Sequence, residues 1–221
     1  MRERVEKPEL SELEQHTFLR EYTGNQLYNA ADTVPTMDGQ ELFGDDTAIA
    51  WDFGCGRGER IVELAKDNPD KKYVGVDIHH PSLMIGVRSA ADNAIDNVRF
   101  IKADCELLIP YMPTSGSESA AVLFPAPVPK NGEFKGMPKP EFAAQIHRIL
   151  QAHGSLLEFA SDSEPYFNYR MRQISRIGLF TCDVMELSVG LNNSDTPTRY
   201  QRVWESKGIP TYRTVLRKIE A

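Results

Sequence analysis

From Thr47 onward, short apolar runs alternate with stretches in which apolar residues recur every three or four positions, a pattern that predicts strands alternating with helices. Thr47–Phe53 reads as a buried strand. Gly58–Lys66 reads as a helix with Ile61, Leu64 and Ala65 on one face, stopped by Asn68-Pro69. Lys72–Asp77 predicts a second strand, and Pro81–Asn93 a second helix whose proline suits the first turn. Val98–Lys102 gives a third strand, and Ala120–Phe124 a fourth that enters a proline-rich loop from Pro125 to Pro140. Phe142, Ile146, Ile149 and Leu150 form a helical stripe, followed by a fifth strand over Ser155–Ala160 and a helix over Pro165–Ser175. Thr181–Leu187 and Thr211–Lys218 complete the strands, with a short helix near Arg199–Ser206 between them. Such alternation specifies an α/β fold with a mostly parallel sheet, right-handed crossovers and helices on both faces. Ligands of such sheets lie beyond the carboxyl ends of the strands, near the point where strand order reverses. Residues 1–46 are polar and irregular, with helical signal around Glu12–Arg20 and turn residues from Asp32 to Asp46. They read as an N-terminal arm ahead of one domain over residues 47–221.

Composition narrows the setting. A chain of 221 residues is long enough for one full core and short for two. No apolar run approaches the roughly 20 residues that span a bilayer, and Met1–Lys7 is charged with no apolar stretch behind it. A cytoplasmic location is therefore expected, with no membrane partner. Cys55, Cys105 and Cys182 are scattered, which reads as reduced thiols with neither a disulfide frame nor a zinc site. The histidines show no metal-ligand spacing, so no metal is expected. Nothing in the sequence decides between monomer and homodimer. The net charge of −7 works against binding through nucleic-acid phosphates, which usually uses a basic face.

The candidate chemistry starts at the end of the first strand, in Asp52-Phe53-Gly54-Cys55-Gly56-Arg57-Gly58. A dinucleotide site uses GxGxxG to bring backbone to a pyrophosphate, whereas the glycines here follow GxGxG. A Walker loop is excluded because no GK[ST] follows. Asp52, two residues before the first glycine, would repel a phosphate and attract a cation. S-adenosylmethionine, with its sulfonium and α-ammonium, suits that environment. Asp77 ends the second strand, where its carboxylate can accept both hydroxyls of a ribose. Asp104 ends the third, where its carboxylate or adjoining backbone can take an adenine amine. Ile78 and Cys105, which follow these aspartates, are placed at the cofactor with Asp52, Gly54 and Gly56. An aspartate at one strand end is ordinarily a helix cap. Three in succession, with a glycine loop at the first, make a specific constellation.

With these residues in hand, the chain from about Ala48 to Lys218 resembles the bacterial tRNA (guanine-N7)-methyltransferase family. The resemblance is carried by Asp52–Gly58, by Asn68-Pro69-Asp70 with Tyr73–His79, and by Asn97–Phe100. Later it is carried by Phe124–Lys130, by Asp162 with Glu164-Pro165-Tyr166, and by Thr198-Arg199-Tyr200 with Gly208. It implies the seven-stranded, Rossmann-like class I methyltransferase sheet, with cofactor contacts from Asp52, Asp77 and Asp104. Lys130 and Asp162 are the implied catalytic positions. Ala126, Val128, Lys130, Asp162, Thr198, Arg199 and Gln201 are the implied substrate positions.

The departures fall on the acceptor side. Where the family loop reads FPDPWPK, this chain has Ala126 for the catalytic aspartate and Val128 for the tryptophan. The family's basic run is replaced by Asn131–Pro138, and the glutamate ending its TxYE segment by Gln201. Guanine N7 already carries a lone pair, so losing a carboxylate slows methyl transfer by about two decades, roughly 3 kcal/mol, without forbidding it. A glutamine offers one donor and one acceptor, matching an edge that differs from guanine's paired N–H donors. These changes point first to a ring nitrogen of a small, purine-like heterocycle as acceptor. The alternative is a tRNA (guanine-N7)-methyltransferase with a divergent site, and the lesser alternative a non-catalytic cofactor-binding protein.

Overall fold

The computed structural model describes residues 18–29, 31–131, 133–152, 155–188 and 196–219. The helical signal expected from Glu12 falls outside these residues as far as Thr17. Beyond it, at Leu19–Glu21, the chain is a strand. The molecule divides into two compact units, Met1–Tyr111 and Met112–Ala221.

In the first unit the elements run β1 (Leu19–Glu21), α1 (Gly24–Asn29), α2 (Gly39–Phe43), β2 (Ile49–Phe53), α3 (Glu59–Asp67), β3 (Lys72–Asp77), α4 (His80–Asp92), β4 (Val98–Lys102) and α5 (Cys105–Leu108). Strands β2, β3 and β4 are buried over most of their length, as parallel strands covered on both faces are. They pair in parallel, with Asp52 opposite Gly75 and Gly75 opposite Phe100. Ile61, Val62 and Ala65 of α3 and Leu83, Met84, Val87 and Ala90 of α4 close the core over Val98 and Phe100. Gly75 permits this approach, because a Cβ there would stand 2.5 Å from Ile61 Cδ1 and 2.7 Å from Cys55 Sγ. Asn97, buried among them, donates through Nδ2 to the carbonyls of Ala65, Asn68 and Lys71 at 2.9, 3.0 and 2.9 Å. It thereby satisfies the carbonyls left open where Asn68-Pro69 ends α3.

In the second unit follow β5 (Ser117–Leu123), β6 (Pro129–Lys130), β7 (Glu133–Phe134), α6 (Pro140–Ile149), β8 (Leu156–Ser161), α7 (Glu164–Ile177), β9 (Phe180–Ser188), α8 (Arg199–Ser206) and β10 (Thr211–Lys218). Strand β5 pairs in parallel with β8, whereas β10 runs antiparallel to both β8 and β9. Phe159 and Phe167 stack 5.3 Å apart in its core. A separate hairpin of β6 and β7 interrupts the proline-rich segment that the sequence left as a loop.

The eight-stranded order is β1-β4-β3-β2-β5-β8-β10-β9, a mixed α/β fold on a large, mostly parallel sheet. Seven strands are those expected from the apolar pattern. The eighth, β1, lies within the segment read as an arm and adds a parallel edge to β4, with Leu19 opposite Phe100. At three residues it is too short to carry a period. Among the described residues, no helix is long and apolar enough to cross a membrane.

Candidate active site

Strand β2 feeds a loop in which Gly54, Gly56 and Gly58 take φ of 82°, 59° and 67°, the left-handed region that side chains disfavour. Gly58 caps α3, and a Cβ on it would collide with the Phe100 ring. Gly86 of α4 is held to the same ring, where a Cβ would stand 2.6 Å from Phe100 Cζ. Gly56 is different. Nothing lies within 4 Å of the place its Cβ would take, so the backbone there faces open space that a ligand can approach.

Hydrogen bonds to β3 and its end fix the loop. The N–H groups of Gly54 and Cys55 both donate to Val76 O, at 2.7 and 3.1 Å. Gly56 N–H donates to Asp77 Oδ2 at 2.9 Å, and His79 N–H to Asp77 Oδ1 at 2.8 Å. One carboxylate thus ties the glycine loop to the turn after β3. Each of its oxygens accepts one of these bonds and retains capacity for another, so two hydroxyls of a ligand could still be received. Ile78, next in the chain, is 69% exposed, an apolar side chain suited to the face of a flat ring. Asp52 is buried, with Arg60 Nη1 3.9 Å from its Oδ2. Asp104 caps α5, its Oδ1 accepting from Glu106 N–H at 2.8 Å and Leu107 N–H at 3.3 Å. Cys105 is buried with Sγ 4.0 Å from Val76 O. Burial first, then nearby aspartates, pushes the pKa of both Cys55 and Cys105 up. These thiols therefore stay protonated at neutral pH.

The acceptor-side residues lie in the second unit. Beyond β5, Phe124 adopts a left-handed φ of 52°, a strain of about 1–3 kcal/mol for a bulky residue. Its N–H donates to Ala160 O at 2.8 Å. Ala126, Val128 and Lys130 are all exposed. The hairpin turns at Asn131, and Lys135 N–H donates to Val128 O at 2.8 Å. Helix α7 pins this segment from beneath. Arg170 donates to Phe134 O at 2.6 Å and Gly136 O at 2.5 Å, and lies 5.4 and 5.3 Å from the Tyr166 and Tyr169 rings. Tyr166 donates its hydroxyl to Met137 O. Arginine is a residue type usually found at the surface, where it could join a basic face. At 2% exposure Arg170 is excluded from any such face, because α7 turns it inward with Tyr166, Phe167 and Ile174. Sequence reasoning missed this anchor. The helical spacing of Tyr166, Arg170 and Ile174 was the available signal.

Thr198 caps α8, its Oγ1 accepting from Gln201 N–H at 3.0 Å, and Arg199 is exposed beside it. Gln201 is the residue expected to read the substrate edge. It is 7% exposed and donates through Nε2 to Oε1 of the buried Glu205 at 2.8 Å. Thr211 Oγ1 donates to the same oxygen at 3.1 Å. Asp162 follows β8, half-buried, and accepts from the Tyr200 hydroxyl at 3.4 Å. Burial above all pushes the Tyr200 pKa up, which keeps that hydroxyl a donor.

Comparison with known proteins places this arrangement. The model of the family described as "Putative methyltransferase" matches residues 46–214. The tRNA (guanine-N(7)-)-methyltransferase of Rubrobacter xylanophilus is 31% identical over 197 residues, covering 89% of this chain and 88% of the relative. The chain belongs to the tRNA (guanine-N7)-methyltransferase family. The enzyme of that name from Chloroherpeton thalassium is 28% identical across 91% of this methyltransferase and 89% of its own length. Among solved structures, the 16S rRNA methyltransferase KamB superposes with a TM-score of 0.62 at 17% identity, covering 82% of this chain and 92% of that one. A 16S rRNA (adenine(1408)-N(1))-methyltransferase from Catenulisporales acidiphilia, solved with cosubstrate SAM, gives 0.57 at 14% identity over 78% of this chain and 86% of its own. At such identities the likeness is one of fold alone, a mixed α/β fold on a large, mostly parallel sheet.

Proposed function

We propose that this methyltransferase methylates N7 of a guanine in tRNA, with S-adenosylmethionine as donor. The observation that carries the reading is the Rubrobacter relative, whose similarity spans both the glycine loop and the acceptor segment rather than the cofactor half alone. When bound, S-adenosylmethionine supplies an electrophilic methyl group on a sulfonium. Gly54 and Gly56 would let it approach the backbone, Asp77 would hold the ribose, and Ile78 would pack on the adenine. Asp104 and Cys105 would border that base, while Asp52, paired with Arg60, would set the local charge. The open space over Gly56 and the capacity left on Asp77 fit such a ligand.

On the acceptor side guanine N7 needs no base to deprotonate it, so alignment and charge placement do the work. Asp162 is the carboxylate we assign to the positive charge that develops on the ring, since Ala126 offers none. Lys130 and Arg199 would meet the acceptor's phosphates, and Thr198 would order the turn into α8. The small heterocycle expected from Ala126, Val128 and Gln201 is not carried forward. The curated relatives are named as tRNA enzymes, and the Gln201 side chain expected to read the substrate edge is buried, with its amide donating to Glu205.

The test is incubation of unmodified tRNA with the enzyme and labelled S-adenosylmethionine, followed by nucleoside mass spectrometry. 7-Methylguanosine above the no-enzyme control is expected. Its absence, with label appearing in free purines, would restore the small-substrate reading.

A further inference from the structure

Helix α8 sorts its residues sharply. Gln201 and Glu205 face inward at 7% and 3% exposure, leaving Arg199, Tyr200, Arg202 and Val203 outward. Tyr200 is 46% exposed, and among the described residues of the second unit no other phenylalanine, tyrosine or tryptophan is exposed to that degree. A single exposed aromatic is ordinary. This one is unusually well held. The Phe124 ring sits 5.3 Å away, tilted by 46°, and the Trp204 ring 5.3 Å away at 81°. The hydroxyl points to Asp162 Oδ2. Phe124 reaches its place through a left-handed backbone, a conformation that persists only where the surroundings hold it.

The exposed loop that follows Phe124, Ala126-Pro127-Val128-Pro129-Lys130, carries no aromatic ring. Proteins that single out one base in RNA splay it from its neighbours and stack it on an aromatic face. Among the described residues of this unit, the exposed aromatic ring suited to that task is Tyr200. We propose that Tyr200 is the stacking platform for the acceptor guanine, braced by Phe124 and Trp204. The inference rests on the tRNA reading and deepens it. Arg199 and Arg202, on the same outward face, carry charge suited to the phosphates flanking a splayed base.

The experiment compares full-length wild type with Tyr200→Phe, Tyr200→Leu and Tyr200→Ala. It measures kcat and KM for 7-methylguanosine formation on unmodified tRNA, S-adenosylmethionine affinity by calorimetry, and melting temperature. Losing a base–aromatic stack lowers kcat/KM about five- to 150-fold, which is the change expected for Tyr200→Ala and Tyr200→Leu. Tyr200→Phe keeps the ring and should stay within about threefold of wild type, with cofactor affinity unchanged in all. If Tyr200→Ala does not fold, the leucine variant decides. Wild-type rates in the leucine or alanine variant would overturn the stacking role. A phenylalanine variant as impaired as alanine would overturn it too, by assigning the contribution to the hydroxyl. A wild-type enzyme that forms no 7-methylguanosine would instead overturn the tRNA reading on which the inference stands.

Discussion

Asp77 is the residue on which most of the cofactor side converges, since one carboxylate receives the N–H of Gly56 from the loop and of His79 from the following turn. Hydrogen bonds to charged groups contribute about 1.5–3 kcal/mol each. Asp77→Ala should therefore loosen the loop and cut S-adenosylmethionine affinity at least tenfold, read by calorimetry, while Asp77→Asn retains part of it. Unaltered affinity in the alanine variant would remove the ribose assignment. The sequence placed Asp77 at a strand end correctly, but showed a ligand group where the structure shows a tether that has capacity left for a ligand. Asp104 also makes the ordinary cap of an aspartate there, its Oδ1 accepting at the start of α5. The two thiols give a pH prediction. An unfolded cysteine ionises near pH 8.5, and burial pushes Cys55 and Cys105 above that. Their contribution to stability is complete below about pH 8.5 and is lost as pH rises further, since only the unfolded chain releases the protons. Urea midpoints should fall between pH 7.5 and 10, and fall less in a Cys55→Ala/Cys105→Ala variant. Equal losses in the two proteins would rule the thiols out as the cause.

Elements were legible in proportion to their length and period. Strands β3, β4 and β10 and helix α8 lie where the residue pattern put them, because each strand is five to eight residues long with its apolar residues buried, and α8 opens with a threonine cap. Strand β1, with three residues, and the hairpin of β6 and β7, with two residues a side, carry no period to read. The acceptor loop is held by partners far along the chain, which composition does not announce. Arg170 looked like surface charge and is the buried anchor of residues 134–136. Its Nη2 carries two N–H bonds and donates to both carbonyls, which a thioether, having no donor, does not reproduce. Arg170→Met should leave carbonyls of Phe134 and Gly136 unpaired and free the segment carrying exposed Lys130 and Lys135. Limited trypsin digestion should then cut after those lysines at least tenfold faster than in wild type, with cofactor affinity retained. Unchanged cleavage would show that the hairpin holds itself.

Taken whole, the molecule carries a net charge of −7 and is assigned a polyanionic substrate. The conflict is one of distance. At 0.15 M salt the field of a charge fades over about 8 Å, so remote carboxylates hardly oppose a phosphate resting against a local cation. Affinity then depends on the few cations at the contact rather than on the total. Each phosphate neutralised contributes a slope of about −0.7 to −0.9 in log K against log salt. With Lys130, Arg199 and Arg202 as the exposed acceptor-side contacts, the slope for tRNA should be shallow, about −2 to −3. Lys130→Gln should flatten it by about 0.7 to 0.9 in fluorescence anisotropy titrations at several potassium chloride concentrations. Lys66→Gln, an exposed change at the end of α3, serves as the control and should leave the slope alone. Equal slopes for wild type and Lys130→Gln would remove Lys130 from the RNA contact. Equal flattening by both variants would mean that total charge governs association after all.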